Sequence, residues 1–291
     1  TGFGEYFIVE ERADECLMRI PAGMSFELAV FAEPFSCILH SVKRLLDITG
    51  LNDFCGKKVA IIGAGNAGLS YAWLIGYLGG EATVFNLPEP DPRINFIYAN
   101  KLLARERIRS LDHVMLYKDK FDFVVVTTTL ATHGIILKGI ALVKPSGYVH
   151  LYGGTREGDV FNTVDIDSLR KEKTPTVSIE VGNKVFHVSG AYGTTISDFL
   201  ETFDLFKQHR FSSLVRRNIS RIISLEQLPK LITAMAKGSV DYPGKVVVKL
   251  GDVSSPAQQT RVYKQNLARG IYSCVKESSS PVSIQRIDEI E

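Results

Sequence analysis

The sequence predicts an α/β protein built on a doubly wound parallel sheet. Three observations carry that expectation. Residues 57–154 alternate apolar, strand-like runs with helical stretches. The first run leads straight into the glycine-rich segment Gly63-Ala64-Gly65-Asn66-Ala67-Gly68 and then a helical pattern. Small residues close the later runs, at Thr127-Thr128-Thr129, Gly153-Gly154 and Ala191-Tyr192-Gly193.

The elements follow in order. Tyr6-Phe7-Ile8-Val9 reads as a strand and Arg19 to Gly23 as a turn. Ser25 precedes a helical spacing over Phe26 to Ala29 as an N-cap. Lys57 to Ile62 is apolar enough for a strand buried on both faces. Residues 66–78 carry a helical pattern that Gly79-Gly80 would end. Ala82 to Phe85 predicts the second strand, 93–105 a helix, and His113 to Tyr117 a short third strand. Phe121 to Val126 predicts a fourth strand, 133–143 a helix, and Gly147 to Tyr152 a fifth strand. Lys184 to Val188 is the sixth, followed by a helix over 195–208. Ile219 to Ile223, a helix over 225–237 and Lys245 to Leu250 predict a smaller, mostly β unit. Residues 251–291 are polar, with Ser278-Ser279-Ser280-Pro281 as an expected joint.

The chain has 291 residues, 45% of them hydrophobic, so it can bury a large core. Lys and Arg total 34 against 32 Asp and Glu, which offers nucleic acid or an anionic membrane no electrostatic attraction. No apolar run reaches the roughly 20 residues of a bilayer span. The cysteines at 16, 37, 55 and 274 lack metal-knuckle spacing. A reduced, cytoplasmic setting is expected. His113, His133, His150, His187 and His209 lack ligand spacing and are expected to be structural.

The glycine loop carries the chemistry. Gly63 permits a tight turn, Gly65 lets the backbone approach a diphosphate, and Gly68 lets the helix pack closely on the strand. The anion would then meet free N–H groups at a helix start, with Asn66 and Ala67 among them. That is a Rossmann-type dinucleotide site, for NAD or NADP. Asn86 stands at the second strand's end, where a carboxylate would accept ribose hydroxyls in an NAD site. Its neutral amide does not repel a 2′-phosphate, and Arg93 could pair with one, so NAD against NADP stays open. Thr127, Thr128, Thr129, Gly153, Gly154, Ala191, Tyr192 and Gly193 would leave room for the nicotinamide riboside and offer backbone groups to its carboxamide.

Residues 2–250 resemble the medium-chain dehydrogenase/reductase family, in its polyol, sugar-alcohol and threonine dehydrogenase branch. The resemblance rests on Gly4-Glu5-Tyr6 with Ile20-Pro21, Ala32-Glu33-Pro34-Phe35-Ser36 with His40, Ser189 to Gly193, and Lys245 to Val248. It implies a Rossmann domain over 41–208. It also implies remnants of a mostly β, GroES-like catalytic domain at 1–40 and 209–250, and a tail at 251–291. It implies hydride transfer between a nicotinamide and a secondary alcohol or ketone. Glu33 matches a carboxylate at the family's catalytic zinc, and Cys37 a side chain against the nicotinamide ring. The Cys and His-Glu ligands expected upstream are not in the sequence. Zinc is therefore expected only with a preceding segment, and Thr1 in place of Met suggests a fragment, inactive by itself. A homodimer or homotetramer, joined through the last sheet strand, is implied as well. The alternatives are a non-catalytic NAD(P)-binding module and a zinc-free reductase of the same superfamily.

Overall fold

The computed structural model describes residues 17–87, 91–171, 176–237 and 243–250. The expected strand at Tyr6 to Val9, the Gly4-Glu5-Tyr6 motif, Cys16, Cys274 and the tail lie outside them. The chain forms two compact units. Among the described residues, the larger comprises 24–87, 91–171, 176–221 and 243–245, and the smaller comprises 17–23, 222–237 and 246–250.

The larger unit opens with the short helix α1 (Phe26–Ala29), with Ser25 at its N-cap position. Helix α2 (Ala32–Thr49) follows. It buries Phe35, Ile38, Leu39, Val42, Leu45 and Leu46, the three-and-four spacing of an apolar helix face, and ends on Gly50 in the left-handed conformation. Strand β1 (Lys58–Ile62) then enters the sheet, with Val59 to Ile62 fully buried. Helix α3 (Asn66–Tyr77), β2 (Glu81–Asn86), α4 (Pro92–Ala99) and β3 (Ile108–Ser110) build one half. Strand β4 (Phe121–Val126), α5 (His133–Leu142) and β5 (Val143–Leu151) begin the other. A small hairpin, β6 (Val160–Phe161) and β7 (Val164–Asp165), leads into α6 (Ile166–Lys171). The antiparallel pair β8 (Val177–Val181) and β9 (Lys184–Gly190) completes the sheet. Helices α7 (Ile196–Lys207) and α8 (His209–Arg217) follow, α7 opened by a Thr195–Asp198 capping box. Strand β10 (Ile219–Ser224), a 3-10 turn, α9 (Leu228–Ala236) and β11 (Lys245–Lys249) close the described chain.

The seven-stranded sheet runs β3-β2-β1-β4-β5-β9-β8, and β10 pairs with β11 in a separate ribbon. All neighbours from β3 to β9 are parallel. From β1 the chain winds outward through β2 and β3, then returns to β4 on β1's other side and winds the opposite way. Open α/β sheets take their ligands beyond the carboxyl ends of the strands that flank such a reversal, here β1 and β4. One face of the sheet buries Ile62, Val124, Val126 and Val149 together with Ile136 and Ile140 of α5. Elsewhere in the unit, Phe35 of α2 meets the rings of Phe206 and Phe211 edge-on, at centroid distances of 5.1 and 5.7 Å.

Three local expectations are corrected. His113 to Tyr117 is not a strand. It lies in a 3-10 segment, Leu111–Tyr117, and the third strand is Ile108–Ser110. The Ser110 hydroxyl accepts from Asp112 N and starts the turn, while Met115 and Leu116 point to solvent. The helix at 93–105 stops at Ala99. Strand β5 begins at Val143, because Lys144 to Gly147 bulges within the strand instead of ending it: the pairing jumps from Phe121–Val143 to Phe123–Tyr148.

Candidate cofactor site

Local sequence builds the site at these strand ends. Gly63 turns the chain with φ of +113°, a conformation that excludes most side chains, and its N–H donates to Phe85 O at 2.8 Å. Gly68 lies within the first turn of α3. A Cβ there would stand 1.8 Å from Gly63 O, so only glycine lets the helix sit this close to the strand. Gly65 behaves differently. It is the N-cap of α3 with ordinary extended φ, and a Cβ on it would meet nothing within 4 Å. Open space therefore faces the helix start at this position. No side chain caps α3 and its first turn carries no acid, so its leading N–H groups suit an anion.

Thr127 locks the loop from beneath. Its hydroxyl donates to Ile62 O and Gly63 O at 3.0 and 3.2 Å. Thr128 donates to Leu130 O. The glycines after β5 press against this segment: a Cβ on Gly153 would lie 2.3 Å from Thr128 O, and one on Gly154 2.6 Å from Thr129 O. Their N–H groups donate to Val126 O and Thr129 O, and Ala191 N donates to Leu151 O. These amides hold the strand ends together. Thr129 is exposed, as is Tyr192, over whose ring the Arg170 guanidinium lies at 5.1 Å. Gly193 turns with φ of +82°.

At the end of β2, both ends of the Asn86 amide are engaged. Its Oδ1 accepts from Ala64 N at 3.1 Å, and its Nδ2 donates to Asp91 Oδ2 at 2.7 Å. The other Asp91 oxygen accepts from Arg93 N at 2.8 Å and caps α4. Asn86 thus braces the glycine loop and presents the half-buried Asp91 carboxylate. Asp91 escaped the sequence reading, although Asp91-Pro92 is an N-cap signal. Asn66, exposed at the start of α3, accepts through Oδ1 from Asn218 Nδ2 at 2.7 Å. No sequence pattern links those two residues.

Glu33 and Cys37 share one face of α2, one turn apart, with Cys37 Sγ donating to Glu33 Oε1 at 3.5 Å. Burial, and then the Glu33 charge, push the Cys37 thiol up to about 12, so it stays protonated at neutral pH. Burial and the same two groups raise the Tyr152 phenol. Its ring meets Tyr71 edge-on at 5.3 Å. Tyr71 donates to Ser41, and Ser41 and Ser189 hold the two nitrogens of His150 at 2.7 and 2.8 Å. Complete burial, and then the Arg44 charge, drive His150 down to about 3, so this imidazole is neutral. His40 bonds Asp198 Oδ2 at 2.9 Å, linking α2 to α7.

Among the described residues no three His, Cys, Asp or Glu side chains gather as a metal site, and one carboxylate beside a protonated thiol is an incomplete set. No described helix is long and apolar enough to cross a membrane.

No family model matches the sequence. The fold, however, matches solved dehydrogenases over four-fifths of the chain. 2R,3R-Butanediol dehydrogenase from Bacillus subtilis aligns with a TM-score of 0.55 and 18% identity, over 80% of this chain and 60% of that one. L-Idonate 5-dehydrogenase from Escherichia coli aligns at 0.53 and 18%, over 79% and 58%. S. aureus TarJ in complex with NADPH aligns at 0.57 and 17%, over 80% and 66%. The chain spans about 60% of the length of the first of these. The α/β, parallel-sheet fold is shared with these solved structures.

Proposed function

We propose that this chain binds NAD(H) or NADP(H) beyond the carboxyl ends of β1 and β4 and serves hydride transfer between the nicotinamide and a secondary alcohol or ketone. Polyols, sugar alcohols and amino alcohols are the substrate class. The observation that carries the reading is the glycine loop at the topological switch: Gly68 is packed against Gly63 O, while Gly65 faces open space at an uncapped helix start. When bound, the nicotinamide would supply the hydride acceptor, or in reverse the donor, for interconverting an alcohol and a ketone, with the alcohol's proton passing to water. The chain's own residues bind and orient. The amides after Gly65 would hold the diphosphate, and Asp91 would accept the ribose hydroxyls in place of Asn86. A carboxylate there disfavours a 2′-phosphate, which supports NAD(H) over NADP(H) even with Arg93 nearby. Cys37, Glu33 and Tyr152 would flank the nicotinamide end.

Zinc assistance enters only through ligands beyond the described residues, to which Glu33 would add its carboxylate. Residues 41–208 would be the cofactor domain, 1–40 and 209–250 parts of a catalytic domain, and 251–291 a tail. A cytoplasmic homodimer or homotetramer, joined through the outer strand of the sheet, completes the proposal. The test is titration of the chain with NADH and NADPH, followed by the nicotinamide fluorescence. Saturable binding, tighter for NADH, supports the reading. No binding of either overturns it. Binding with no turnover by a longer chain carrying the metal ligands would favour a non-catalytic module.

A further inference from the structure

Asn218 sits between α8 and β10 with 1% of its surface exposed. Its main chain is fixed on both sides. Its N–H donates to Leu214 O and Val215 O, and its carbonyl accepts from Lys245 N at 2.8 Å. Its side chain spans 152 positions of sequence to reach Asn66, and its own Oδ1 is buried with no donor. A buried acceptor left unpaired destabilises a fold, and an apolar side chain of similar size would avoid that cost. The amide is thus a poor choice for packing alone.

It does settle the orientation of Asn66. With Asn66 Oδ1 engaged, the half of that exposed amide left for a ligand is its NH2 group. Turned the other way, the pair would offer a carbonyl oxygen to the helix start and bury an unpartnered NH2. Only the observed orientation adds a donor to the uncapped first turn of α3.

We propose that Asn218 is a positioning residue: it locks the Asn66 amide with its NH2 group toward the diphosphate of the bound dinucleotide. This rests on the glycine loop's holding that diphosphate. Asn66 would touch the ligand, and Asn218 would act through it.

A double-mutant cycle on the full chain tests this, with the NADH dissociation constant read by fluorescence for the unmutated chain, Asn66→Ala, Asn218→Leu and the double variant. Asn66→Ala removes a hydrogen bond to a charged group and should weaken binding about ten-fold. Asn218→Leu keeps the branched shape with a somewhat larger side chain and removes the donor. It should weaken binding several-fold in the unmutated background and less than two-fold in Asn66→Ala. A merely structural role would lower affinity equally in both backgrounds, and that additivity overturns the proposal. So does an Asn218→Leu chain that binds as tightly as the unmutated one. Should Asn218→Leu not fold, Asn218→Ala is read by the same criterion. If the unmutated chain binds neither NADH nor NADPH, the parent reading fails and this one with it. Binding by the unmutated chain with additive losses sinks this one alone.

Discussion

Substitution of the second and third glycines of the loop separates a structural from a ligand-binding role. In Gly68→Ala the new Cβ would lie 1.8 Å from Gly63 O. Carbon and carbonyl oxygen rest no closer than about 3.3 Å, so α3 must retreat by roughly 1.5 Å or the loop must open. Overpacking of a buried contact costs about 1–3 kcal/mol, and backbone against backbone, with no side chain to rotate away, belongs at the upper end. In Gly65→Leu the side chain enters open space on ordinary φ. A poorer N-cap loses about 0.5–1 kcal/mol, and the stiffer unfolded chain returns a similar amount, so stability should stay within about 1 kcal/mol. Binding should suffer more. The leucine would occupy the volume of the diphosphate, and losing two bonds to a charged group at about 1.5 kcal/mol or more each weakens binding more than about a hundred-fold. Urea denaturation and NADH titration read the two effects. Gly68→Ala should lower the denaturation midpoint clearly, while Gly65→Leu should leave it nearly unchanged and abolish binding. Full NADH affinity in Gly65→Leu, or unchanged stability in Gly68→Ala, would refute the assignment of the loop.

Other outcomes are expected elsewhere. Asp91→Asn removes the carboxylate at the β2 end and should shift the ratio of NADH to NADPH affinity toward NADPH by about ten-fold, read in parallel titrations; an unchanged ratio would place the ribose elsewhere. His150 is held neutral, with its value depressed to about 3 from 6.5. The unfolded chain therefore binds the extra proton between those limits, and stability falls as pH drops below about 6.5, by up to about 1.4 kcal/mol per pH unit until about pH 3. Urea titrations at pH 7, 6 and 5 should show that slope, and His150→Gln should reduce it. Cys37, pushed to about 12, should alkylate at pH 8 far more slowly than a free thiol, as peptide mass mapping with iodoacetamide would show. Glu33→Gln should speed the reaction only in part, since burial is the larger cause.

Much of the first half of the parallel sheet was legible because its signals are local. An apolar strand, a glycine turn and a helix within twenty residues specify β1, the loop and α3, and Gly63 and Gly68 do in space what their spacing implies. Legibility failed where a short segment had two readings. The sequence of His113 to Tyr117 suits a strand by composition, but the hydroxyl of Ser110 turned it into a 3-10 segment. Strand β8 was not anticipated, since a polar-faced edge strand lacks the continuous apolar run of its buried neighbours.

The site shows the same division. Composition and spacing alone predict a diphosphate-sized anion at the helix after Ile62, because the proposed chemistry lies in a few consecutive backbone groups. Which side chains surround it was decided by tertiary structure. Asn86 spends both ends of its amide on Ala64 and Asp91, the Gly153 and Gly154 amides serve the strand ends, and Asn218 arrives from 152 positions away. A polar side chain has only a few hydrogen-bonding groups, and whether they remain for a ligand depends on neighbours that only the folded chain brings together.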